Sequence, residues 1–417
     1  MDQPPMGYGE LIRHNANFRR LWAGQIISLL GDWFNLIAST SLVAALTQSG
    51  WGVGSLLVVR LLAPFIVSPV AGVLADRYDR KRIIIATNLI RAVVVLGFLL
   101  VRSPDDLWLL YLLTAMQLAL SGFFQPAWSS ILPDIVPARA IGAANALTAA
   151  TWSVMLALGA ALGGLVAGTW GADPAFVIDA LTFVLAALVL VRIKTPPKEA
   201  HPTGAITSAL GEYIEGLRYL KRHPDILATA HHKAALMLCF GASIEVVQVA
   251  ISRDVFVLGV AGSLGLGLLY AATGVGTGIS PIIARHFSRD QPRRLRRSIL
   301  LGYLLAIAGL LIIAPLASFA LVLVGMLVRA CGSGIIWVFA TQLLMQLVPD
   351  KVRGRVFATE HALWSLGGAL GALWGAYALE RNQDISQALY WMASITLVPA
   401  LLWGLWLIFY RPRDTPP

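Results

Sequence analysis

Residues 72–83 read GVLADRYDRKRI, and half of them are charged although long apolar stretches lie on both sides. The stretch before it, LLVVRLLAPFIVSPVA (56–71), and the stretch that follows, IIIATNLIRAVVVLGFLLV (83–101), each contain a single charged residue. A helix crosses the hydrocarbon core of a membrane with roughly 17–25 mostly apolar residues. This part of the sequence therefore predicts two membrane-spanning helices joined by a short, charged turn.

The same alternation continues along the chain. Of the 417 residues, 57% are hydrophobic and 13% are charged, with a mean hydropathy of +0.73, whereas soluble proteins have about 25% charged residues. We therefore predict an all-α polytopic membrane protein with twelve transmembrane helices. The predicted spans cover residues 21–46, 53–75, 83–101, 107–126, 145–168, 174–191, 227–251, 263–285, 298–316, 318–346, 356–378 and 388–409.

Basic residues are distributed unequally between the two sides of this arrangement. Of the 32 lysine and arginine residues, three lie in loops on one side, three lie within spans, and the rest flank the other side. The three loop residues are Arg102, Arg253 and Arg381, and the three residues within spans are Arg60, Arg91 and Arg329. Because basic residues accumulate on the cytoplasmic side of membrane proteins, both termini are predicted to be cytoplasmic. The net charge of +10 then reflects topology and contact with anionic membrane lipids, and no nucleic-acid partner is expected.

The longest inner segment divides the twelve spans into six and six. Two short segments also recur at an offset of 212 residues: SPVAGVLADR (68–77) with SPIIARHFSR (280–289), and IVPAR (135–139) with LVPDK (347–351). Such recurrence is typical of membrane folds built from internal repeats. We predict an N-terminal six-helix half over residues 1–191, a cytoplasmic linker with an amphipathic helix over 192–226, and a C-terminal six-helix half over 227–417.

The opening stretch resembles the loop 2–3 signature of the major facilitator superfamily, G-x-L-x-D-R-x-G-R-[RK]. The matching positions are Gly72, Leu74, Asp76, Arg77, Arg80 and Lys81, while Asp79 stands where the pattern has glycine. The segments NFRRLWAGQIISLLGD (17–32), FFQPAWSSILPDIVPARAIGAANAL (123–147) and VPDKVRGRVFA (348–358) are similar to the bacterial drug-exporter branch. That branch includes macrolide efflux pumps, siderophore exporters and lysophospholipid transporters.

The resemblance implies a bacterial inner-membrane transporter with a gating motif that holds one face of the molecule closed. The residues assigned to this motif are Gly72, Asp76, Arg77 and Arg80. The alternative is that they are topology charges on a short loop. Asp79 either adds an acidic partner to the motif or only changes the turn.

A second short segment, GAALGG (159–164), is similar to the antiporter motif G-P-x-x-G-G, with Ala160 in place of proline. The similarity implies an exchanger. Small residues at this spacing are equally typical of close helix packing in membranes. The sequence leaves both interpretations open.

One acidic residue lies within the first span, in QIISLLGDWFNLIAST (25–40). A charge near the middle of a bilayer costs roughly 2.5–3.5 kcal/mol even on lenient insertion scales, so Asp32 needs a cavity, a partner or a proton. Polar residues recur around it at spacings of three and four, which places them on one helix face. They are Gln25, Ser28, Asp32, Asn35 and Ser39. This polar stripe predicts that span one lines a cavity.

The resemblance assigns spans 1, 4, 7 and 10 to a central cavity, and each of them carries polar residues here. The predicted substrate-binding residues are Gln25, Asp32, Asn35, Gln117, Glu245, Gln248 and Arg329. We predict that Asp32, and secondly Glu245, carries the coupling proton, so that a proton and a cationic substrate compete for one carboxylate. The alternative for Asp32 is a structural ion pair with Arg329 or Arg60. Glu245 could equally be a solvated residue at the cavity mouth, and Arg329 an anchor for an anionic substrate.

The remaining ionisable residues near the spans receive structural interpretations, and no metal ligands are predicted. Asp179 is expected to be structural. Arg60 and Arg91 are expected to extend to opposite membrane interfaces. Four residues are expected at the cytoplasmic interface: His231, His232, Glu360 and His361. Six aromatic residues either line the cavity or serve only as packing: Trp33, Phe34, Phe123, Phe124, Trp337 and Phe339.

No enzyme is predicted, because no G-x-S-x-G, H-E-x-x-H, paired C-x-x-C or G-x-x-x-x-G-K motif occurs. The predicted function is a secondary active transporter without cofactors, which exports a small amphipathic, drug-like molecule by proton antiport with alternating access. Export is implied by the resemblance. The alternatives are a lysophospholipid flippase or facilitator and a membrane sensor that transports nothing. The small-molecule substrate, protons and membrane lipids are the expected partners, and a monomer is expected.

Overall fold

The computed structural model of the protein describes residues 6–195, 218–288, 291–382 and 384–409. The regular secondary structure within these ranges is helical throughout. Twelve helices in the described part of the chain are long and apolar enough to cross a membrane, which confirms the predicted number and the all-α class. A short helix, Tyr8–His14, precedes the first of them.

The spanning helices are labelled α1 to α12 in chain order. The first six are α1 (Ala16–Thr47), α2 (Gly50–Arg77), α3 (Arg80–Leu96), α4 (Leu107–Ile135), α5 (Ile141–Trp170) and α6 (Ala172–Val191). The second six are α7 (Pro224–Val255), α8 (Ser263–Ser288), α9 (Pro292–Ile313), α10 (Phe319–Leu347), α11 (Asp350–Asn382) and α12 (Ile385–Phe409). A π-helical segment, Met237–Gly241, interrupts α7, and a second one, Ile251–Val255, ends it.

Several helices are longer than the apolar segments that predicted them. Helix α4 continues to Ile135 and α11 begins at Asp350, although the predicted spans ended at 126 and began at 356. A helix continues past the hydrocarbon core wherever the flanking residues favour helix, because water can solvate its polar side chains there. The predicted break between spans nine and ten is confirmed, since α9 ends at Ile313 and α10 begins at Phe319.

The predicted linker is only partly described. Residues 196–217, with most of the expected amphipathic helix, lie outside the described residues. Residues 218–222 are helical, and Leu220 is buried against the core of the second half. The division into two domains with a linker stays a prediction.

The charged turn with which the sequence opens joins α2 to α3. The side chain of Asp79 accepts hydrogen bonds from the backbone N–H groups of Lys81 (2.9 Å) and Arg82 (3.2 Å). These N–H groups have no partner within the helix, so Asp79 acts as the N-cap of α3. Of the two interpretations of this residue, the structure supports a role in the turn.

Since the described residues form an even number of spanning helices, both ends of the spanning region lie on one side. The side where α1 begins and α12 ends is here called the terminal face, and the other side the opposite face. Near the terminal face, the described apolar residues of the two halves belong to separate hydrophobic clusters. A third cluster joins the halves: it contains Val53 and Leu57 of α2 together with Val246 of α7 and Ala372 and Ala376 of α11.

Glycines bring helices of the two halves into close contact. A Cβ atom at Gly164 of α5 would lie 2.7 Å from the Cα of Gly267 in α8, and one at Gly54 of α2 would lie 2.8 Å from the Cβ of Ala376 in α11. Real Cβ atoms do not approach other atoms this closely, so these contacts require glycine. The segment GAALGG is thus a packing surface. Gly163 lies against the backbone of Phe34 in α1, while Gly164 lies against α8.

Polar contacts add to this closure at the opposite face. Ser49, between α1 and α2, donates a hydrogen bond to Glu380 near the end of α11. Arg253, at the end of α7, donates to the carbonyl oxygen of Ala44 in α1 at 3.0 Å. The two halves are therefore joined at the opposite face by apolar, glycine-mediated and polar contacts.

Candidate functional site

Asp32 lies midway along α1 and forms an ion pair with Arg91 of α3. The side chain of Arg91 retains 2% of its exposure, whereas that of Asp32 retains 28%. The ring of Phe183 in α6 covers the guanidinium, with 4.0 Å between Cζ and the ring centroid. The pair thus has a buried cation and a partly exposed carboxylate.

This ion pair corrects two interpretations of the sequence. Arg91 does not extend to a membrane interface, and the partner of Asp32 is neither Arg329 nor Arg60. The register of α3 turns Arg91 inward on the same face as Thr87, Asn88 and Val95, which are also buried. A buried arginine is tolerated when a carboxylate lies against it, because an uncompensated charge there costs several kcal/mol.

A second acid lies next to this pair because α1 carries glycine at the contact with α6. A Cβ atom at Gly31 would overlap with Asp179 Oδ1 and Thr182 Oγ1. Asp179 is fully buried, and Gln117 Nε2 of α4 donates to its Oδ2 at 3.4 Å. Asn35, also fully buried, lies beside Asp179. Three residues of the predicted site, Asp32, Asn35 and Gln117, are thus brought together around an aspartate that was not assigned to it.

Arg60 of α2 links the two halves electrostatically. It interacts with Asp32 and Asp179 of the N-terminal half and with Glu245 and Tyr270 of the C-terminal half. Its Nη1 is buried, so the predicted extension of Arg60 to an interface is also wrong. Helix α2 packs against α4 of its own half and against α11 of the other, and this position gives the arginine access to acids on each side.

The C-terminal half contributes a second polar group around Arg329 of α10. Arg329 donates from Nη2 to Thr273 Oγ1 at 3.2 Å and from Nη1 to Ser333 Oγ at 3.4 Å. Among the described residues, no carboxylate oxygen lies within 4.0 Å of it. Glu245, partly buried in α7, interacts electrostatically with Arg329 and Arg60. Glu245 and Arg329 therefore interact at long range and not as a contact ion pair.

Gln248 and the aromatic residues complete the layer between the halves. Gln248 is buried beside Tyr270 of α8. The ring of Tyr270 contacts Trp33 of α1, with 5.8 Å between centroids, and Trp33 also contacts Trp152 of α5. This cluster connects the polar groups of the two halves.

The other aromatic candidates divide between packing and exposure. Phe34, Phe124 and Phe339 are buried in the hydrophobic clusters, which favours the packing interpretation for these three. Trp337 retains 39% of its exposure. It is therefore the aromatic residue of α10 that can contact a bound molecule.

Next to Trp337 lies an ion pair that the sequence did not indicate. Lys233 Nζ of α7 is 3.1 Å from Glu360 Oε1 of α11, and it lies over the ring of Trp337 at 4.7 Å. Both charged side chains are buried within the protein, and Glu360 lies at the start of the span Thr359–Arg381; its interfacial position stays a prediction. His232 is also buried, with Nδ1 at 3.0 Å from the hydroxyl of Tyr303. The neighbouring His231 and His361 are exposed.

Of the residues assigned to the gating motif, Arg80 is the one whose side chain is described. Gly72, Asp76 and Arg77 lie in the last turns of α2, and their side chains are outside the described residues. Arg80, the first residue of α3, forms an ion pair with Asp134 near the end of α4, with 2.7 Å between Nη1 and Oδ2. The latch stays a prediction, and Asp134 is a partner that the motif alone did not reveal.

Gln25 completes the set of predicted residues. It is partly buried on α1, seven residues before Asp32, which corresponds to about 10 Å towards the terminal face. It therefore does not contact the ion pair, although it lies on the same helix face.

Twelve spanning helices in an arrangement closed at one face, with charged residues buried midway across it, define a multi-pass membrane transporter. The chain belongs to the Major Facilitator Superfamily, which it matches over residues 21–372. The family is one of transporters, and neither the site nor the relatives indicate a catalytic activity. The two repeated segment pairs agree with this membership, since they lie at corresponding helix ends of the two halves.

Similar proteins support the assignment. The chain is 28% identical to the uncharacterized MFS-type transporter YfiS of Bacillus subtilis (strain 168), over 89% of this chain and 88% of that protein. It is 23% identical to macrolide efflux protein A of Streptococcus pyogenes, over 87% of this chain and 89% of that protein. Among solved structures, that of a mutant of the nucleoside transporter NupG superimposes with a TM-score of 0.74 at 13% identity, covering 94% of this chain and 99% of that one. This last similarity concerns the fold alone.

Proposed function

We propose that the protein is a proton-coupled exporter of a small amphipathic organic molecule, with Asp32 as the coupling acid. The observation that carries the proposal is the Asp32–Arg91 pair, in which the buried arginine holds a carboxylate that stays 28% exposed. Charged residues inside membrane segments usually have functional roles in ion or substrate pathways. The similarity to an efflux protein supports export.

Coupling follows from the competition for one carboxylate. When Asp32 binds a proton, its attraction for Arg91 is lost, and a cationic substrate at the same carboxylate is displaced. When Asp32 is ionised, it can pair with Arg91 or with the cation. A proton entering from one side and a substrate leaving towards that side therefore use the same group in turn.

Alternating access follows from the asymmetry of the contacts between the halves. The halves are joined at the opposite face, while their described apolar residues form separate clusters near the terminal face. In the proposed cycle this is the state open to the terminal face, which faces the cytoplasm of a bacterial cell. Positively charged loops on that side support this orientation.

The residues around the space between the halves favour an amphipathic substrate. Trp33 and Trp337 provide apolar surfaces, and the partly exposed Asp32 and Glu245 provide isolated polar groups. Such a combination is typical of sites for drug-sized molecules.

A second candidate function is the transport of a lysophospholipid as a flippase or facilitator. Arg329 carries a buried cation with only hydroxyl partners in contact among the described residues. A phosphate group is a favourable partner for such an arginine. This function needs no proton gradient.

Reconstituted proteoliposomes with an imposed pH gradient test both functions. The probes are tetraphenylphosphonium, erythromycin and a lysophosphatidylethanolamine, each measured with the gradient intact and after its collapse by an ionophore. Antiport predicts that flux of one of the first two probes depends on the gradient. Gradient-independent movement of the lysophospholipid alone would overturn the antiporter and support the flippase.

A further inference from the structure

The pair of Asp32 and Arg91 has a third member, and its position points to a shared proton. Asp179 of α6 lies directly against Gly31 of α1, one residue from Asp32. Arg91 and Asp32 both interact electrostatically with its carboxyl group. Two acids therefore act on one guanidinium, and Asp32 is the one in contact with it.

The surroundings of Asp179 do not compensate a second negative charge. The residue is fully buried, and among the described residues no lysine or arginine nitrogen lies within 4.0 Å of it. Helix α4 contributes the uncharged Gln117, and α5 contains no charged residue. Arg60 is the other cation that acts on Asp179, and it acts more strongly on Asp32 and Glu245.

An ionised carboxylate in this position would cost several kcal/mol, since burial removes its hydration without supplying a contact partner. The group avoids this cost by holding a proton. A neutral Asp179 beside the Asp32–Arg91 pair leaves the three residues with no net charge.

We propose that Asp32 and Asp179 share one proton around Arg91, with Asp179 holding it while Asp32 is ion-paired. In the alternate state, the O–H bond at Asp179 breaks and one forms at Asp32, while Arg91 exchanges Asp32 for Asp179 as its partner. The number of protons and the net charge of the three residues are the same in both states. The exposed Asp32 then exchanges this proton with the accessible space.

The role in transport rests on the proposed function, but the shared proton is measurable without a substrate. Infrared spectra of the purified full-length protein in lipid at neutral pH report protonated carboxyl groups, and aspartate labelled with ¹³C at its side-chain carboxyl separates aspartate bands from those of glutamate. We expect the wild type to show one buried protonated aspartate. Asp173→Asn is the matched control, because Asp173 is on the same helix and exposed, and this variant keeps the band.

Two variants make the test decisive. In Asp179→Asn the band is lost, because the carboxyl group that holds the proton is absent and Asp32 stays paired with Arg91. In Asp32→Asn it is also lost, since Arg91 then pairs with Asp179 and Asp179 ionises. A wild type without the band, or a band that persists in Asp32→Asn, would overturn the sharing. A band that persists in Asp179→Asn would likewise overturn the proposal, because the proton would then not be held by Asp179, so either variant alone can refute it if the other is not monodisperse on size exclusion.

This outcome is separate from that of the transport assay. A band that behaves as expected in a protein without gradient-dependent flux would retain the shared proton and reject antiport. Gradient-dependent flux with a band unaffected by either variant would support antiport and reject the shared proton.

Discussion

Asp79 shows how one side chain can depart from a family pattern and still serve the same turn. It caps α3 through the N–H groups of Lys81 and Arg82. Replacing an N-cap residue by alanine lowers stability by about 0.5–2 kcal/mol, whereas replacing it by glycine lowers stability by only a few tenths of a kcal/mol. We expect Asp79→Ala to lower the midpoint of thermal unfolding in detergent, and Asp79→Gly, which restores the superfamily pattern, to leave it nearly unchanged. Equal losses in both variants would show that the carboxylate acts by its charge and not as a cap.

The contacts of single residues were only partly predictable from the sequence. The helical face that carries Asp32 and Asn35 follows from spacing, because an α-helix fixes which residues lie together. The partner of Asp32 does not follow from spacing, since it depends on how α3 is rotated against α1 and α6. The same holds for Lys233 and Glu360, which meet only because α7 and α11 pack against each other.

At the scale of helices, the contact between α5 and α8 depends on glycine. A Cβ atom at Gly164 would lie 2.7 Å from the backbone of Gly267, whereas one at Gly404 of α12 would have its nearest neighbours, in Leu300, at 3.9 Å. Alanine gains about 1 kcal/mol over glycine in either helix. Steric overlap in a packed contact costs about 1–3 kcal/mol. We therefore expect Gly404→Ala to raise the thermal midpoint and Gly164→Ala to lower it.

This comparison tests helix packing directly, because both variants add the same single methyl group. A Gly164→Ala protein as stable as Gly404→Ala would mean that α5 and α8 can separate without cost. The number of helices was predictable from hydropathy alone. Which helices meet was not, since the apolar surfaces of α5 and α8 carry no pattern that selects a partner.

At the scale of the whole molecule, alternating access requires the halves to separate at the opposite face. A Cβ atom at Gly50 would lie 3.4 Å from the Cβ of Leu379, close to the separation of about 3.5–4.5 Å in disulfides. We expect Gly50→Cys combined with Leu379→Cys, in a background with Cys239→Ala and Cys331→Ala, to form a cross-link on oxidation. Flux of the transported probe should then stop and should return on reduction.

Each single cysteine variant controls for this experiment, because it carries one substitution and cannot form the bond. Undiminished flux in the cross-linked protein would show that the closure at the opposite face stays in place during transport. The division of the chain into repeated halves stays a prediction from the recurring segments. The face at which the halves close was not predictable from the sequence, because the two states of the proposed cycle close at different faces.

The central claim is that proton movement depends on Asp32, and internal pH recorded in proteoliposomes tests it most directly. The transported probe is added to vesicles that contain the wild type, Asp32→Asn or the control Asp173→Asn, and a trapped dye reports the pH. We expect probe-evoked proton movement for the wild type and the control, and for Asp32→Asn no more than in protein-free liposomes. Undiminished proton movement with Asp32→Asn would contradict it and leave the Asp32–Arg91 pair a structural feature of the N-terminal half.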